Sequence, residues 1–350
     1  DDPQWVPPLI SERKRFFDPS KNPYFESAEV QSFIATRDGE AVGTLSATVD
    51  RNYQEFDPGV GFFGFFEFIE DFEVADALFA AGCDWLRARG MTSAIGPFNF
   101  NTNHEFGLLV EGFDTDPFVA NPHNSAYFPI FYEKLGLTKI MDWYAYKIDP
   151  GAERVIRMRA IAERFLKRNP EVTIRNLDLK NYEADVAFLH EIYDDAWEHN
   201  WGHVRVSARE FLYLAKNLKA IIDPSLCFVA EVDGRPAAIS VTLPDYNRLV
   251  KQLNGRLFPT GWWKILRGRR GIKAVRVFML GVKQEFQHLP LGAPLYWKTW
   301  ERGLALGVRE AEASLILETN TRMRRTLERM GAEIHKTYRN YQFPLETSSS

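Results

Sequence analysis

The order of structural signals along this chain is written twice. Apolar runs at 31–36 and 41–49 flank Asp38-Gly39, and runs at 226–232 and 236–243 flank Asp233-Gly234. Each dipeptide supplies the positive φ that a tight hairpin turn requires. After each hairpin the pattern predicts a strand (61–69; 275–282), a helix (73–89; 295–306), a strand (92–95; 313–318), a helix (125–135; 321–330) and a last strand (137–148; 334–343). Duplication at this scale constrains the fold more than composition does. It predicts an α/β (α+β) protein of tandem units, each a mixed, mostly antiparallel sheet flanked by helices, with 137–148 completing the first sheet. The division falls at 1–150 and 151–346, a basic amphipathic helix over 154–169 opening the second unit and helices over 182–197 and 208–222 following. Residues 3–27, with five prolines among Phe16, Phe17, Tyr24 and Phe25, read as an irregular arm packed onto the first unit in a structural role.

Composition bounds the function. With 45% hydrophobic residues, 26% charged residues and a net charge of −4 in 350 residues, the chain is a globular protein large enough for two cores and lacks an overall nucleic-acid footprint. Cys83 and Cys227 sit in apolar contexts and read as reduced core residues of a cytosolic protein. No apolar run reaches the roughly 18 residues of a membrane span, and Asp1-Asp2-Pro3 is unlike the start of a signal peptide. The serine-rich end at 347–350 reads as a frayed tail.

Chemistry concentrates in four places. Residues 275–295, VRVFMLGVKQEFQHLPLGAPL, are a strand, a turn and a helix start. Backbone N–H groups in such a turn bind a pyrophosphate, which makes Leu280, Gly281, Val282 and the turn residues Gln287, Leu291, Gly292 and Ala293 a candidate coenzyme A site. In the first unit the matching turn is Glu70-Asp71-Phe72-Glu73, whose carboxylates repel a pyrophosphate. Asn99, Asn101, Asn103 and Glu105 alternate, so an extended segment would present them on one face, as one wall of a polar site or as a turn network serving its own backbone. His104, Glu105 and, on the aromatic strand GFFGFFEF (61–68), Glu67 are the candidate general bases. Asp245 and Asn247 could bind a polar group of a ligand, or simply make a turn, and Trp201 is placed beside the cleft. Between Asp245 and Glu285 there is no acidic residue, and Trp262, Trp263, Arg267, Arg269 and Arg270 lie in this insertion at about 245–274. Aromatics interleaved with cations suit an anionic membrane surface, or a solvated loop with its rings turned inward. His199 and His203 have metal-ligand spacing, but Asn200 and Gly202 interrupt the helix such a pair needs, so no metal is predicted.

Both halves follow the order of the GNAT superfamily of acyl-CoA-dependent N-acyltransferases, with Leu280-Gly281-Val282, Asn320 at a helix start and Tyr132-Glu133-Lys134-Leu135-Gly136 as its signatures. The turn at 287–293 is similar to that family's Q/R-x-x-G-x-G/A loop, with Pro290 in place of its first glycine. More closely, the whole chain resembles the bacterial ceramide synthase family, through GFFGFFEF (61–68), GPFNFNTNHEFGLLVEGFD (96–114), Asn200-Trp201-Gly202, Pro244-Asp245-Tyr246-Asn247, GRLFP (255–259), ILETN (316–320) and Lys336-Thr337-Tyr338-Arg339. The resemblance implies transfer of a fatty acyl group from acyl-CoA to the amine of sphinganine or 3-oxosphinganine, on a cytoplasmic enzyme peripherally attached to the inner membrane. It implies that Asn320 contacts the pantetheine amides. The position of the tyrosine that protonates the leaving thiolate in the GNAT superfamily falls at Leu327, so either that acid is lost or another group such as Tyr338 serves, Tyr338 reading equally as a packed core tyrosine. Two alternatives stay open: an N-acyltransferase for an amino acid or other small amine, and a non-catalytic acyl-CoA or lipid-binding module.

Overall fold

The computed structural model describes residues 2–345; the 347–350 tail lies outside them. The first half runs α1 (Ile10–Phe16), β1 (Ala28–Arg37), β2 (Glu40–Asp50), α2 (Arg51–Gln54), β3 (Val60–Phe68), α3 (Phe72–Arg87), β4 (Ser93–Gly96), β5 (Phe98–Asn99), β6 (Glu105–Phe106), β7 (Leu108–Glu111), α4 (Tyr127–Lys134) and β8 (Thr138–Ile148). The second runs α5 (Glu153–Arg168), β9 (Val172–Asn176), α6 (Tyr182–Trp197), α7 (Ala208–Leu218), β10 (Cys227–Val232), β11 (Arg235–Pro244), α8 (Asn247–Lys251), α9 (Gly261–Gly268), β12 (Ala274–Val282), α10 (Gly292–Ala305), β13 (Glu310–Leu317), α11 (Thr321–Arg329) and β14 (Glu333–Pro344). Both hairpin turns form as their sequences require: Asp38 and Gly39 have φ of 52° and 83°, and Asp233 and Gly234 of 51° and 74°.

One 12-stranded sheet runs through both halves in the order β1-β2-β3-β4-β14-β8-β13-β12-β11-β10-β9, with β7 also on β14. The repeat is symmetric in an unforeseen way, because the halves exchange their last strands. β14 pairs with β4 of the first half, and β8 pairs with β13 of the second. Residues 137–148 therefore complete a sheet outside their own half. The short β4 leaves most of an edge open, and the long β14 covers it while also pairing antiparallel with β8. Side chains weld this seam: Arg339 makes a two-pronged ion pair with Asp142 at 2.7 and 3.0 Å, and the Trp143 indole N–H donates to Asn340 Oδ1 at 2.8 Å.

Helices cover the sheet on both faces. Leu45, Phe63, Phe79 and Tyr132 form the first-half core under α3 and α4. In the second half Tyr146, Trp300 and Leu327 pack under α5, α10 and α11, and Ile192, Phe211 and Ile239 pack under α6 and α7 on the opposite face. Cys83 and Cys227 are buried and unpaired. Among the described residues no helix is long and apolar enough to cross a membrane.

The two parallel strand pairs set up the site. β12 and β13 pair only from Ala274↔Glu310 to Val277↔Ala313, and beyond that they diverge. β3 and β4 likewise pair only from Val60↔Ser93 to Phe62↔Ile95. In the first half the chain itself fills the gap. β5 lies so close to β3 that a Cβ on Gly64 would collide with the Phe98 carbonyl, and Asn99 Oδ1 accepts the Phe65 N–H at 2.7 Å.

Candidate functional site

A cleft of about 2110 Å³ opens where β12 and β13 diverge and reaches across the sheet seam into the first half. Phe278 to Val282 on one strand and Ser314 to Leu317 on the other form its floor. On β12 the Lys283 N–H donates to Ala237 across the β11 ladder, and Gly281 faces Ile239. Antiparallel alternation then turns the N–H groups of Leu280 and Val282 away from β11, toward the gap. Gly281 is required for packing, since a Cβ there would collide with the Trp197 ring of α6. At the strand's end α10 begins at Gly292 with no side-chain cap, leaving a helix N-terminus that lines the cleft together with Gln287 and Ala293. Leu291 departs from expectation: its side chain is fully buried beside Phe228 and Leu295, so only its backbone is near the turn. Asn320 caps α11, its Oδ1 accepting the Met323 N–H at 3.1 Å, and it also lines the cleft.

The opposite wall belongs to the first half and carries two carboxylates. Glu105 accepts from Arg13 at 2.7 Å and from the Asn99 amide at 2.9 Å on the same oxygen. Burial works against its charge, but the Arg13 guanidinium and the Asn99 amide outweigh it and hold the carboxyl below its usual range. Glu67 is open to the cleft and, among the described residues, has no such partner. Desolvation inside the cleft and the nearby Glu105 charge push its carboxyl up to about 7, against the pull of Arg13. Two neighbouring carboxylates are thus driven apart, one held ionised and one poised near neutrality.

Other sequence-predicted residues are placed differently. The Asn-rich segment is a tight hairpin in which Asn99 pairs with Glu105, and Phe100 has φ of 119°. The turn network, the other reading of these residues, forms, with Asn101 Oδ1 accepting the Asn103 N–H at 2.9 Å, although Asn99, Asn103 and Glu105 still line the cleft. Asn101 turns inward, 1% exposed, to donate to Asp50 at 2.9 Å, while Asn103 stays at the cleft and accepts the Tyr193 hydroxyl at 2.6 Å. His104 is packed against Phe16 and Tyr24, with Nδ1 on Asn101 Oδ1 at 2.9 Å. Burial lowers its pKa to about 3, so the ring is neutral and too weak a base to hold an ammonium proton at neutral pH. Asp245 is a turn residue: its Oδ1 accepts the Val119 and Asn247 N–H groups at 3.0 and 3.2 Å, and its side chain does not line the cleft. Asn247 and Trp201 do line it, the former with its amide on the Pro117 carbonyl at 2.7 Å. Arg13 was not expected at all; it comes from the arm that sequence gave a structural role.

The basic insertion forms α8 and α9. Trp262, Trp263 and Leu266 of α9 are 46%, 49% and 42% exposed, and Phe258 just before it is 75% exposed. Arg267, Arg269 and Arg270 are exposed beside them, and Arg267 lies over the Trp263 ring at 5.8 Å. Trp262 also lines the cleft, which therefore reaches the surface at this helix. Leu214 and Leu218 of α7 and Ile221 and Ile222 just after it, with Val250, Leu257 and Ile265 from the insertion, make this part of the lining apolar.

Over 351 residues the chain is 40% identical to the bacterial ceramide synthase of Caulobacter vibrioides (strain NA1000 / CB15N), an alignment that covers 97% of this chain and 90% of that protein. The chain belongs to the bacterial ceramide synthase family. It is also 36% identical over 352 residues to Protein YghO of Escherichia coli (strain K12), covering 98% of this chain and 89% of that one. No protein-family model matches it. Among solved structures, a tandem GNAT protein from the clavulanic acid biosynthesis pathway superimposes with a TM-score of 0.54 at 11% identity, covering 92% of this chain and 85% of that one. A GCN5-related N-acetyltransferase from Sphaerobacter thermophilus does so with a TM-score of 0.52 at 13% identity, covering 91% and 81%. The tandem GNAT-like fold read from the repeat is the fold of this bacterial ceramide synthase family member, and the chain is an acyl-transferring enzyme.

Within this member of the family, neither candidate for protonating a leaving thiolate is available. Leu327 is apolar and fully buried. Tyr338 is also fully buried, packed with Leu109 and Trp143, and its hydroxyl does not line the cleft. Among the described residues no group of three or more His, Cys, Asp or Glu is arranged to hold a metal ion.

Proposed function

We propose that this enzyme transfers a long-chain acyl group from acyl-CoA to the primary amine of a long-chain sphingoid base, working at an anionic membrane surface. One observation carries the reading: a single cleft joins an uncapped helix N-terminus and a splayed strand edge to an ionisable carboxylate and to an apolar lining that emerges at exposed tryptophans. The second half holds the thioester, with the pyrophosphate at the start of α10, the pantetheine along the β12–β13 gap toward Asn320, and the carbonyl oxygen on the N–H groups of Leu280 and Val282. The first half, its own gap filled by β5 and its α3 N-terminus capped by Asp71, supplies the acceptor wall.

The chemistry needs proton removal, alignment and oxyanion stabilisation. Glu67 takes a proton from the incoming ammonium. The freed lone pair forms the N–C bond, the oxyanion gathers on the two strand N–H groups, and its collapse breaks the C–S bond, the second nitrogen proton passing to the departing thiolate while Glu67 releases its own to solvent. A thiolate is a far weaker base than an amine anion, so it leaves without a dedicated acid. Amide, coenzyme A thiol and one released proton balance the reaction. The hydrocarbon tail lies among Leu214, Leu218, Val250 and Ile265, and α9 seats Trp262, Trp263 and Leu266 in the bilayer interface with Arg267, Arg269 and Arg270 toward anionic headgroups.

A mass-spectrometric product screen tests this, offering sphinganine, 3-oxosphinganine and mixed amino acids with acyl-CoAs of several lengths. N-Acylated sphingoid bases are the expected products. Acylation confined to amino acids would transfer the assignment to a small-amine acyltransferase, and no product together with no acyl-CoA binding would remove it.

A further inference from the structure

Helix α1 packs through Phe16, which is half-buried against the Tyr24 and Phe100 cluster, while none of its seven residues is fully buried. It is pinned at both ends: the Ile10 N–H donates to the Gly255 carbonyl at 2.9 Å, Arg15 reaches Asn217, and the Phe16 ring stacks on Phe100 at 4.8 Å. Gly255 belongs to the basic insertion, Asn217 to α7 and Phe100 to the β5–β6 hairpin, so the helix spans three parts of the cleft rim. Between these anchors Arg13 reaches inward. Its Nη2 lies 2.7 Å from Glu105 Oε2, and its guanidinium carbon sits 5.4 Å from the centre of the Phe65 ring, two residues before Glu67 on β3.

We propose that Arg13 is a positioning residue for acyl transfer: by closing an ion pair with Glu105 it leaves Glu67 as the one carboxylate free to take the amine proton, so the N-terminal arm completes the site. This rests on the reading of Glu67 as the base. Among the described residues the charged and titratable groups around Glu67 are Arg13 from α1, Glu105 from β6, and the Tyr127 and Tyr132 phenols from α4, which burial keeps neutral, while Glu12 acts on Arg13. Arg13 is the cation in that set. It holds Glu105 ionised and unable to share the proton, and it draws Glu67 back from the still higher value that burial and Glu105 would impose. Without it the pair takes up its first proton at higher pH.

The test is the pH dependence of kcat/KM from pH 5.5 to 9, with palmitoyl-CoA and sphinganine, for the parent protein, Arg13→Gln, Arg13→Lys and Glu67→Gln. Arg13→Gln is expected to move the acid limb upward by about one pH unit, and Arg13→Lys to leave it near the parent position, because the cation is retained. A uniform fall in rate for Arg13→Gln with the limb within about 0.2 units of the parent would mean that the arm only braces the rim, and would overturn the proposal. Glu67→Gln separates the two levels. If it keeps both rate and acid limb, the base assignment falls and the role of Arg13 with it; if it loses them while Arg13→Gln leaves the limb in place, the role of Arg13 alone falls.

Discussion

Replacing Gly292 by Glu tests the coenzyme A site with little risk to the fold. A Cβ at this position meets only the Tyr296 ring, at 3.8 Å, and Gly292 has an ordinary negative φ, so a side chain is accommodated without strain. Its electrostatic effect is large for the same reason that an uncapped helix start favours an anion. Position 292 is the first residue of the 14-residue α10, where the N-terminal partial charge favours an anion by roughly 1 kcal/mol, and up to about 2 when partly shielded. A carboxylate placed there satisfies that field itself. It also repels a pyrophosphate oxygen about 5 Å away by roughly 1.7 kcal/mol at an effective dielectric constant of about 40. The sum, about 3 kcal/mol, corresponds to roughly a 150-fold loss of affinity. Isothermal titration calorimetry with palmitoyl-CoA measures it directly, and Gly292→Gln, nearly the same shape without the charge, isolates the electrostatic share and is expected to lose less than about tenfold. Glu and Gln variants that both bind within about threefold of the parent would show that the pyrophosphate is held elsewhere.

Three further outcomes follow from particular contacts. Glu210 is 3% exposed, and burial, with Asp50 and Glu26 nearby, raises its carboxyl to about 8. The folded state therefore holds a proton that the unfolded chain releases above its ordinary value of 4.5, and this group's contribution to stability declines as pH rises from about 4.5 to 8. Glu210→Gln is expected to flatten that decline and gain about 2 kcal/mol at pH 8, read as a higher Tm at pH 8 than the parent and little difference at pH 5; equal melting temperatures at both values would contradict it. Trp262→Ser with Trp263→Ser removes two half-exposed rings from α9 and should reduce sedimentation with phosphatidylglycerol vesicles by tenfold or more, about 1.4 kcal/mol, and unchanged sedimentation would mean that the helix faces water. Leu218→Trp narrows the apolar lining and should shorten the preferred chain. Varying the acyl donor with sphinganine fixed, then the acceptor with palmitoyl-CoA fixed, identifies which tail lies there, and a profile unchanged in both series would empty that part of the cleft.

What the sequence revealed depended on how far each determinant reaches along the chain. The hairpins at Asp38-Gly39 and Asp233-Gly234 are set by two adjacent residues, and the duplicated order of elements is a local pattern met twice, so both were readable. Strand exchange was not, because β8 and β14 carry the same alternating pattern whichever half receives them, and their partners are decided by which edges remain open. Alternation in the Asn-rich segment left two readings open, since a period of two has meaning only in an extended chain and this one turns back at Phe100. Leu291 and Tyr338 were assigned by position in a motif, whereas the packing that buries their side chains depends on neighbours far along the chain. Arg13 and Glu105 stand 92 residues apart, and no local pattern marks an arginine in a proline-rich arm as the counter-ion of a carboxylate in a hairpin. The site lies on the seam between the halves, with the splayed strands on one side and the carboxylates on the other. Each half shows its own contribution as a local motif. The difference between Glu67 and Glu105, identical in sequence chemistry, exists only once Arg13 has reached one of them.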